Sequence, residues 1–219
     1  MKNWGKNLKE ENKKHKNFLF YDFVKVTGIF PAWLYLLPRI HYPMSKPSVK
    51  GSTLVICNHS SFWDPVILLC TFWTRRPSFV ATTELFSSKI GRWFFEHVHC
   101  IEIDKEDVSI STFHKVRKEL RSGAMVCIFP EGRVHDGIDT IDPFKGGAVM
   151  MSVQGKSDII PVYVKHRDHW PQRTEVFIGE RIRVDSQTDI PSIEKIKDIS
   201  EKLYRIESDL KEICDMGRK

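Results

Sequence analysis

The sequence predicts an α/β domain: a largely parallel mixed sheet flanked by helices, preceded by a separate apolar helical segment. Three observations carry this. From residue 52 onward, short runs rich in Val, Ile, Phe and Cys alternate with stretches of helical length. Residues 18–37, FLFYDFVKVTGIFPAWLYLL, are the most apolar twenty in the chain. Residues 192–214 carry Ile193, Ile196, Ile199, Leu203, Ile206, Leu210 and Ile213 at intervals of three and four, the stripe of an amphipathic helix. The organisation that follows is a basic tail over 1–16, an apolar helical segment over 17–50, and an α/β domain over 51–219 that ends in that helix.

The tail is Lys-rich. The whole chain of 219 residues has 34 Lys and Arg against 28 Asp and Glu, a net charge of +6. The first fifty residues alone hold +7, so the remaining 169 sum to −1. A nucleic-acid-binding domain carries its positive charge on the folded body, so no nucleic-acid partner is expected. A basic tail beside apolar residues suits an anionic membrane surface. The tail is polar and the apolar stretch after it lacks a small-residue cleavage site, so no signal peptide is expected.

The apolar segment is long enough to span a bilayer. Asp22 and Lys25 lie inside it, Gly28 loosens it, and Pro31 kinks or breaks it. Asp22, Lys25, Gly28, Ala32, Tyr35 and Arg39 form one narrow polar or small stripe at helical spacing, with Phe, Trp, Leu and Val around the rest. That pattern fits a bent helix lying in the membrane interface. A true span and a helix pair packed on the domain's own core are the other readings.

Strands are predicted at Thr53–Cys57, Ser78–Ala81, Cys100–Ile103, Met125–Phe129, Ile159–Val164 and Glu175–Val184, and helices at Pro65–Trp73, Ser87–His97, Ser109–Ser122 and Lys145–Gln154. The five cysteines are odd in number and scattered, and four lie in or next to apolar runs. They read as reduced core residues of an intracellular protein.

Two strand ends carry candidate chemistry. In LVICNHSSFWDPV an apolar run stops at Asn58-His59-Ser60-Ser61, with Asp64-Pro65 following. On one continuous helix His59 and Asp64 would lie about 140° apart. Pro65 instead favours a helix beginning at that residue with Asp64 as its N-cap, so residues 58–64 form a turn. A compact turn can bring His59 back to Asp64, whose carboxylate would then fix the ring and leave the other nitrogen as a general base. The plainer reading is a cap and a polar turn residue. In MVCIFPEGR, Pro130 and Gly132 end a second strand, so that Glu131 and Arg133 project near the same sheet edge. Arg133 offers a planar fork for phosphate, or simply a solvated turn residue. Lys145 and two glycines open a helix nearby.

These residues together carry a resemblance. Asn58-His59-Ser60-Ser61-Phe62-Trp63-Asp64 resembles the NHxxxxD signature of the glycerolipid acyltransferases, the lysophosphatidic acid acyltransferase family. Phe129-Pro130-Glu131-Gly132-Arg133 resembles that family's FPEG block, with Glu131 72 residues beyond His59. Ile160-Pro161-Val162 is similar to its fourth block, and Phe144-Lys145-Gly146-Gly147-Ala148 to the stretch between the last two. The third block usually continues Gly-Thr-Arg, whereas Arg133 here follows Gly132 directly. The second usually ends in Arg, where this chain has Lys105.

The resemblance implies that His59 takes a proton from a free hydroxyl of a lysophospholipid while Asp64 orients the imidazole. The oxygen then attacks an acyl thioester, either acyl-CoA or acyl-carrier protein as co-substrate, with no other cofactor. It further implies that Asn58, Lys105, Glu131, Gly132 and Arg133 bind substrate, and that the enzyme acts in phospholipid biosynthesis at the cytoplasmic face of the cell membrane, attached peripherally to the phospholipid surface. The chain has no G-x-S-x-G elbow, in keeping with a substrate hydroxyl as nucleophile. A thioester hydrolase using the same pair on water and an inert lipid-binding protein are the alternatives. Neither His97, His99 and Cys100 nor His166 and His169 make a ligand set, so no metal is expected.

Overall fold

A computed structural model describes residues 18–103, 110–129, 146–167, 172–184 and 192–216. The architecture is the expected mixed, mostly parallel sheet with helices on both faces. In chain order the elements are α1 (Leu19–Leu36), β1 (Arg39–His41), β2 (Thr53–Cys57), α2 (Asp64–Thr71), β3 (Pro77–Thr82), a 3-10 turn (Thr83–Phe86), α3 (Lys89–His97), β4 (Ile101–Ile103), α4 (Ile110–Arg121), β5 (Met125–Ile128), α5 (Gly147–Gly155), β6 (Asp158–Lys165), β7 (Glu175–Ile178) and α6 (Ile193–Met216).

Seven strands pair in the order β1-β7-β6-β2-β5-β3-β4, all parallel except β6 with β7. β2 lies between β6 and β5, with Cys57 opposite Val162 and Ile56 opposite Ile128. All five of its residues are buried. A strand covered on both faces must be apolar throughout, which is why TLVIC reads as a continuous run.

Period-two alternation sorts the core into two layers. Val55, Cys57, Met125, Cys127, Ile160 and Val162 meet Ile67, Leu68 and Phe72 on the α2 side, together with Leu36 of α1. Leu54, Ile56, Val126, Ile128 and Ile159 meet Val116 and Leu120 of α4, Val149 and Val153 of α5 and Leu203 of α6 on the other. The C-terminal stripe is used as its spacing predicts at Leu203 and Leu210, which are buried, whereas Ile193 at the helix start is exposed. All five cysteines are free. Burial pushes the Cys70 thiol up to about 11 and the Cys100 thiol to about 12, so both stay protonated and unreactive at neutral pH.

Two features depart from the sequence reading. Residues 39–41, grouped by sequence with the helical segment, form the edge strand β1 on β7. Three residues are too few to show a periodicity, and only their partner defines them as a strand. The second departure is α1, which runs unbroken through Pro31 and turns Asp22 and Lys25 of its polar stripe toward the protein, while Gly28 and Tyr35 of that stripe are exposed. The Arg76 guanidinium donates to both oxygens of Asp22, at 2.7 and 2.8 Å. Lys25 donates to the carbonyls of Trp73 and Arg75, and the Tyr21 hydroxyl to that of Pro77 at 2.8 Å. Leu19, Phe23, Val26, Phe30, Trp33 and Leu34 face outward, with Phe23 63% and Phe30 67% exposed. No helix among the described residues is long and apolar enough to cross a membrane.

Between α4 and β5 the chain reverses at Gly123, whose φ is +84°. Its amide reaches back to the carbonyl of Leu120 at 2.9 Å, the left-handed helix ending that favours glycine. A Cβ there would meet nothing within 4 Å, so a substitution has only its backbone strain to reckon with. Gly123→Ala is expected to destabilise the fold by about 1 kcal/mol, read from urea unfolding midpoints.

Candidate active site

Because β2, β5 and β6 are parallel neighbours, their C-terminal ends share one edge of the sheet. Such edges are where open α/β sheets gather their sites. β2 delivers Asn58 and His59, β5 delivers Phe129, and β6 delivers His166 to this edge.

The turn after β2 folds back as its sequence suggests. Nδ1 of His59 lies 2.8 Å from Oδ2 of Asp64. The same oxygen accepts the backbone N–H groups of Ser60 and Ser61, at 3.0 and 2.9 Å. Asp64 is thus not the N-cap expected of it. It is the first residue of α2, and its carboxylate points back into the turn, satisfying amides that precede the helix. Pro65, which has no N–H to offer, leaves the carboxylate to the turn's own donors.

Oδ1 of Asp64 has a different partner. Nε2 of His166, one residue beyond β6, lies 2.6 Å away. The Asp64 side chain is 0% exposed, with His59 and His166 at 17% and 25%. Burial by itself raises the Asp64 carboxyl, but hydrogen bonds from His166 and His59 outweigh it and hold the group below the usual aspartate range. An ionised carboxylate accepts only, so His59 presents its N–H at Nδ1, and the neutral form of the ring then has its acceptor at Nε2. Nε2 of His59 has no hydrogen-bond partner among the described residues. Against the ring stacks Phe129, centroids 4.2 Å apart and 20° between planes, which fixes the ring's tilt and covers one of its faces.

Asn58, assigned to substrate binding from the sequence, is buried here and spends both ends of its amide on one backbone residue. Its Nδ2 donates to the Val164 carbonyl at 2.9 Å, and its Oδ1 accepts the Val164 N–H at 2.8 Å. The side chain acts as a short extension of the ladder and ties the ends of β2 and β6 together. Glu131, Gly132, Arg133, Lys105 and Lys145 lie outside the described residues, as does His169. Nδ1 of His97 donates to the Trp93 carbonyl, 2.6 Å away, and no group of three His, Cys, Asp or Glu side chains placed to hold a metal ion occurs among the described residues.

On the α1 side, Trp63 of the turn lies 5.5 Å from the ring of Tyr35, and the Arg167 guanidinium sits over the same ring at 4.7 Å. The outward-facing helix and the histidine turn therefore touch through one aromatic side chain.

Residues 38–165 match the sequence profile of a family described as acyltransferase. The chain belongs to the acyltransferase family. That span includes the His59–Asp64 turn, Phe129 and the whole of β6. Among acyltransferase relatives, the 1-acyl-sn-glycerol-3-phosphate acyltransferase of Streptococcus pneumoniae is 24% identical over 147 residues, covering 66% of this chain and 53% of that protein. A probable 1-acyl-sn-glycerol-3-phosphate acyltransferase of Mycoplasma pneumoniae is 29% identical over 155 residues, covering 65% and 55%. The chain spans about half the length of these curated relatives. The crystal structure of the 1-acyl-sn-glycerophosphate (LPA) acyltransferase PlsC from Thermotoga maritima superposes with a TM-score of 0.64 at 17% identity, covering 95% of this chain and 87% of that one. At that identity the likeness is one of fold.

Sequence reasoning located the His59–Asp64 pair of this acyltransferase domain and missed His166, considered only as half of a metal pair with His169. The signal available was its position directly after a predicted central strand.

Asp64→Asn is expected to cost roughly 3 kcal/mol at neutral pH, since it strips charge from a buried group with four donors. The carboxyl is lowered on folding, so its stabilisation is complete above the ordinary aspartate value of 3.8 and is lost as pH falls through the lower folded-state value. Unfolding midpoints of the two proteins should therefore converge below that pH. A gap that stays constant down to about pH 2 would show that Asp64 is not held as the anion.

Proposed function

We propose that this protein transfers a fatty acyl group from an acyl thioester to the free hydroxyl of lysophosphatidic acid or a related lysophospholipid. The observation that carries the reading is the 2.8 Å contact between Nδ1 of His59 and a fully buried Asp64, which leaves Nε2 as the base. Family membership and the names of the relatives point to the same chemistry.

The reaction needs one proton carrier. Nε2 of His59 takes the hydroxyl proton as the oxygen attacks the thioester carbonyl, and Asp64 stabilises the imidazolium that forms. Collapse of the tetrahedral intermediate breaks the C–S bond, and the imidazolium returns its proton to the departing thiolate. No enzyme-bound acyl group is required. Ser61, the second hydroxyl of the turn, accepts the Trp63 N–H at 3.2 Å. The donor is acyl-CoA or acyl-carrier protein. Glu131, Gly132, Arg133 and Lys105 are the proposed acceptor-binding residues, by their match to the family's blocks.

The acceptor is a membrane lipid, so the sheet edge must meet a bilayer. The outward face of α1 is suited to this. An apolar face of a helix turned away from its own protein is costly in water and favourable in the lipid interface, and the basic tail adds attraction to anionic headgroups. Peripheral attachment at the cytoplasmic face of the cell membrane is the arrangement proposed. Tyr35 and Trp63 would lie between the interface and His59.

His59→Ala is expected to reduce diacyl product from acyl thioester and lysophospholipid by at least about 100-fold, scored by product lipid analysis. Near-normal transfer by that variant sinks the mechanism. Thioester consumed equally fast without acceptor would identify a hydrolase. Combined replacement of Phe23, Phe30 and Trp33 by Ser should release the protein from anionic liposomes while its thermal unfolding stays unchanged, because all three are exposed. Undiminished co-sedimentation would assign membrane contact to another surface.

A further inference from the structure

We infer that His166 is a positioning residue for acyl transfer: it holds the Asp64 carboxylate in the one orientation that keeps His59 aimed at the substrate hydroxyl. The inference rests on the reading of His59 as general base and adds a residue to it.

The carboxylate's two oxygens divide their partners unequally. Oδ2 serves the turn, through Ser60 N–H, Ser61 N–H and His59 Nδ1. Oδ1 receives Nε2 of His166 from 102 residues away in the sequence, at 2.6 Å. Donors on one oxygen alone leave the carboxylate plane free to rock about its Cβ–Cγ bond, because χ2 of Asp is a soft, broad torsion. A donor on the other oxygen removes that freedom. It also satisfies a buried acceptor that would otherwise be an orphan in a site with 0% exposure.

His166 is itself held from both sides. Two residues before it, Val164 is clamped at both backbone groups by the Asn58 amide. One residue after it, the Arg167 guanidinium rests on Tyr35. The route from β2 through Asn58 to β6, through His166 to Asp64, and back to His59 closes on itself. A side chain fixed this firmly needs little reorganisation on substrate binding, which is the condition for a group that orients others.

Two effects of opposite sign follow. A donor on Oδ1 draws charge from the carboxylate and weakens its support of the His59 imidazolium. The same donor fixes the ring's aim. A single hydrogen bond from an imidazole N–H to the carboxylate redistributes charge modestly, whereas loss of aim of an ångström can cost about 100-fold in rate. Positioning is therefore the larger effect, and removal of His166 should slow transfer.

The experiment compares His166→Leu, which removes the donor, with His166→Gln, whose Nε2 can reach Oδ1 in place of the imidazole nitrogen. With the full chain, acyl-CoA and lysophosphatidic acid on mixed vesicles, the Leu variant is expected to lose about 10- to 100-fold in kcat, with KM for either substrate within about twofold. The Gln variant should recover to within about fivefold of the unmodified protein. In parallel, the proton NMR resonance of the His59 Nδ1–H bonded to Asp64 should persist in the Gln variant and shift or broaden in the Leu variant. Should the Leu protein fail to fold, His166→Phe, which keeps the ring's bulk without a donor, carries the same comparison. Equal losses in the Leu and Gln variants, a change confined to KM, or full activity in the Leu variant overturns the inference. If His59→Ala also remains active, it is the general-base reading that fails; if His59→Ala is dead while the Leu variant is normal, only the role of His166 does.

Discussion

A buried carboxylate with four donors is the constraint around which this edge of the protein is built. Asp64 has no contact with solvent, and an ion so placed survives only if its lone pairs are occupied. Two backbone amides of the turn, one imidazole from the same turn and one from a distant strand occupy them. The conformation of residues 58–64, the junction of β2 with α2 and the end of β6 are all fixed by that demand. The same demand orders His59, since a carboxylate locked in place holds the ring's Nδ1–H and its direction. Preorganisation here is a consequence of burying a charge and satisfying it.

The sheet supplies the distances. Parallel pairing of β2 with both β5 and β6 brings three strand ends to one edge, so residues from three parts of the chain converge without a long loop between them. Asn58 extends that pairing past the last ladder bond by imitating a strand backbone with its side chain. Phe129 contributes from the β5 side through the face of its ring, which covers His59 without adding a polar group that would compete for Nε2.

Helix α1 inverts the usual relation between pattern and burial. A helix on a water-soluble body turns its apolar face inward. Here the inward face carries Asp22, Lys25 and Tyr21, each anchored by directional bonds to Arg76 and to the carbonyls around Trp73–Pro77. Surface ion pairs of this kind contribute little stability, but they set orientation, and orientation is what leaves Phe23, Phe30 and Trp33 outside. At its C-terminal end, Tyr35 links that surface to the histidine turn and to Arg167.

By itself the sequence determined most of the elements and the pairing of His59 with Asp64. Buried parallel strands must be apolar on both faces, so TLVIC and MVCI stand out without reference to any partner. Asp64-Pro65 forces a turn, and the turn's shortness brings His59 to Asp64; these are local effects, and local effects are legible. What only the tertiary structure decided was long-range or directional. Periodicity announced a stripe on α1 but not which side would meet the protein, because a stripe is symmetric between the two choices until Arg76 and the carbonyls of Trp73 and Arg75 are in place. Arg39–His41 became a strand only beside β7. Asp64 faced back into its turn and not along its helix, since the donors it meets include one from β6. His166 joined the site because β2 and β6 pair in a particular register, and no spacing in a linear chain encodes a register between strands a hundred residues apart.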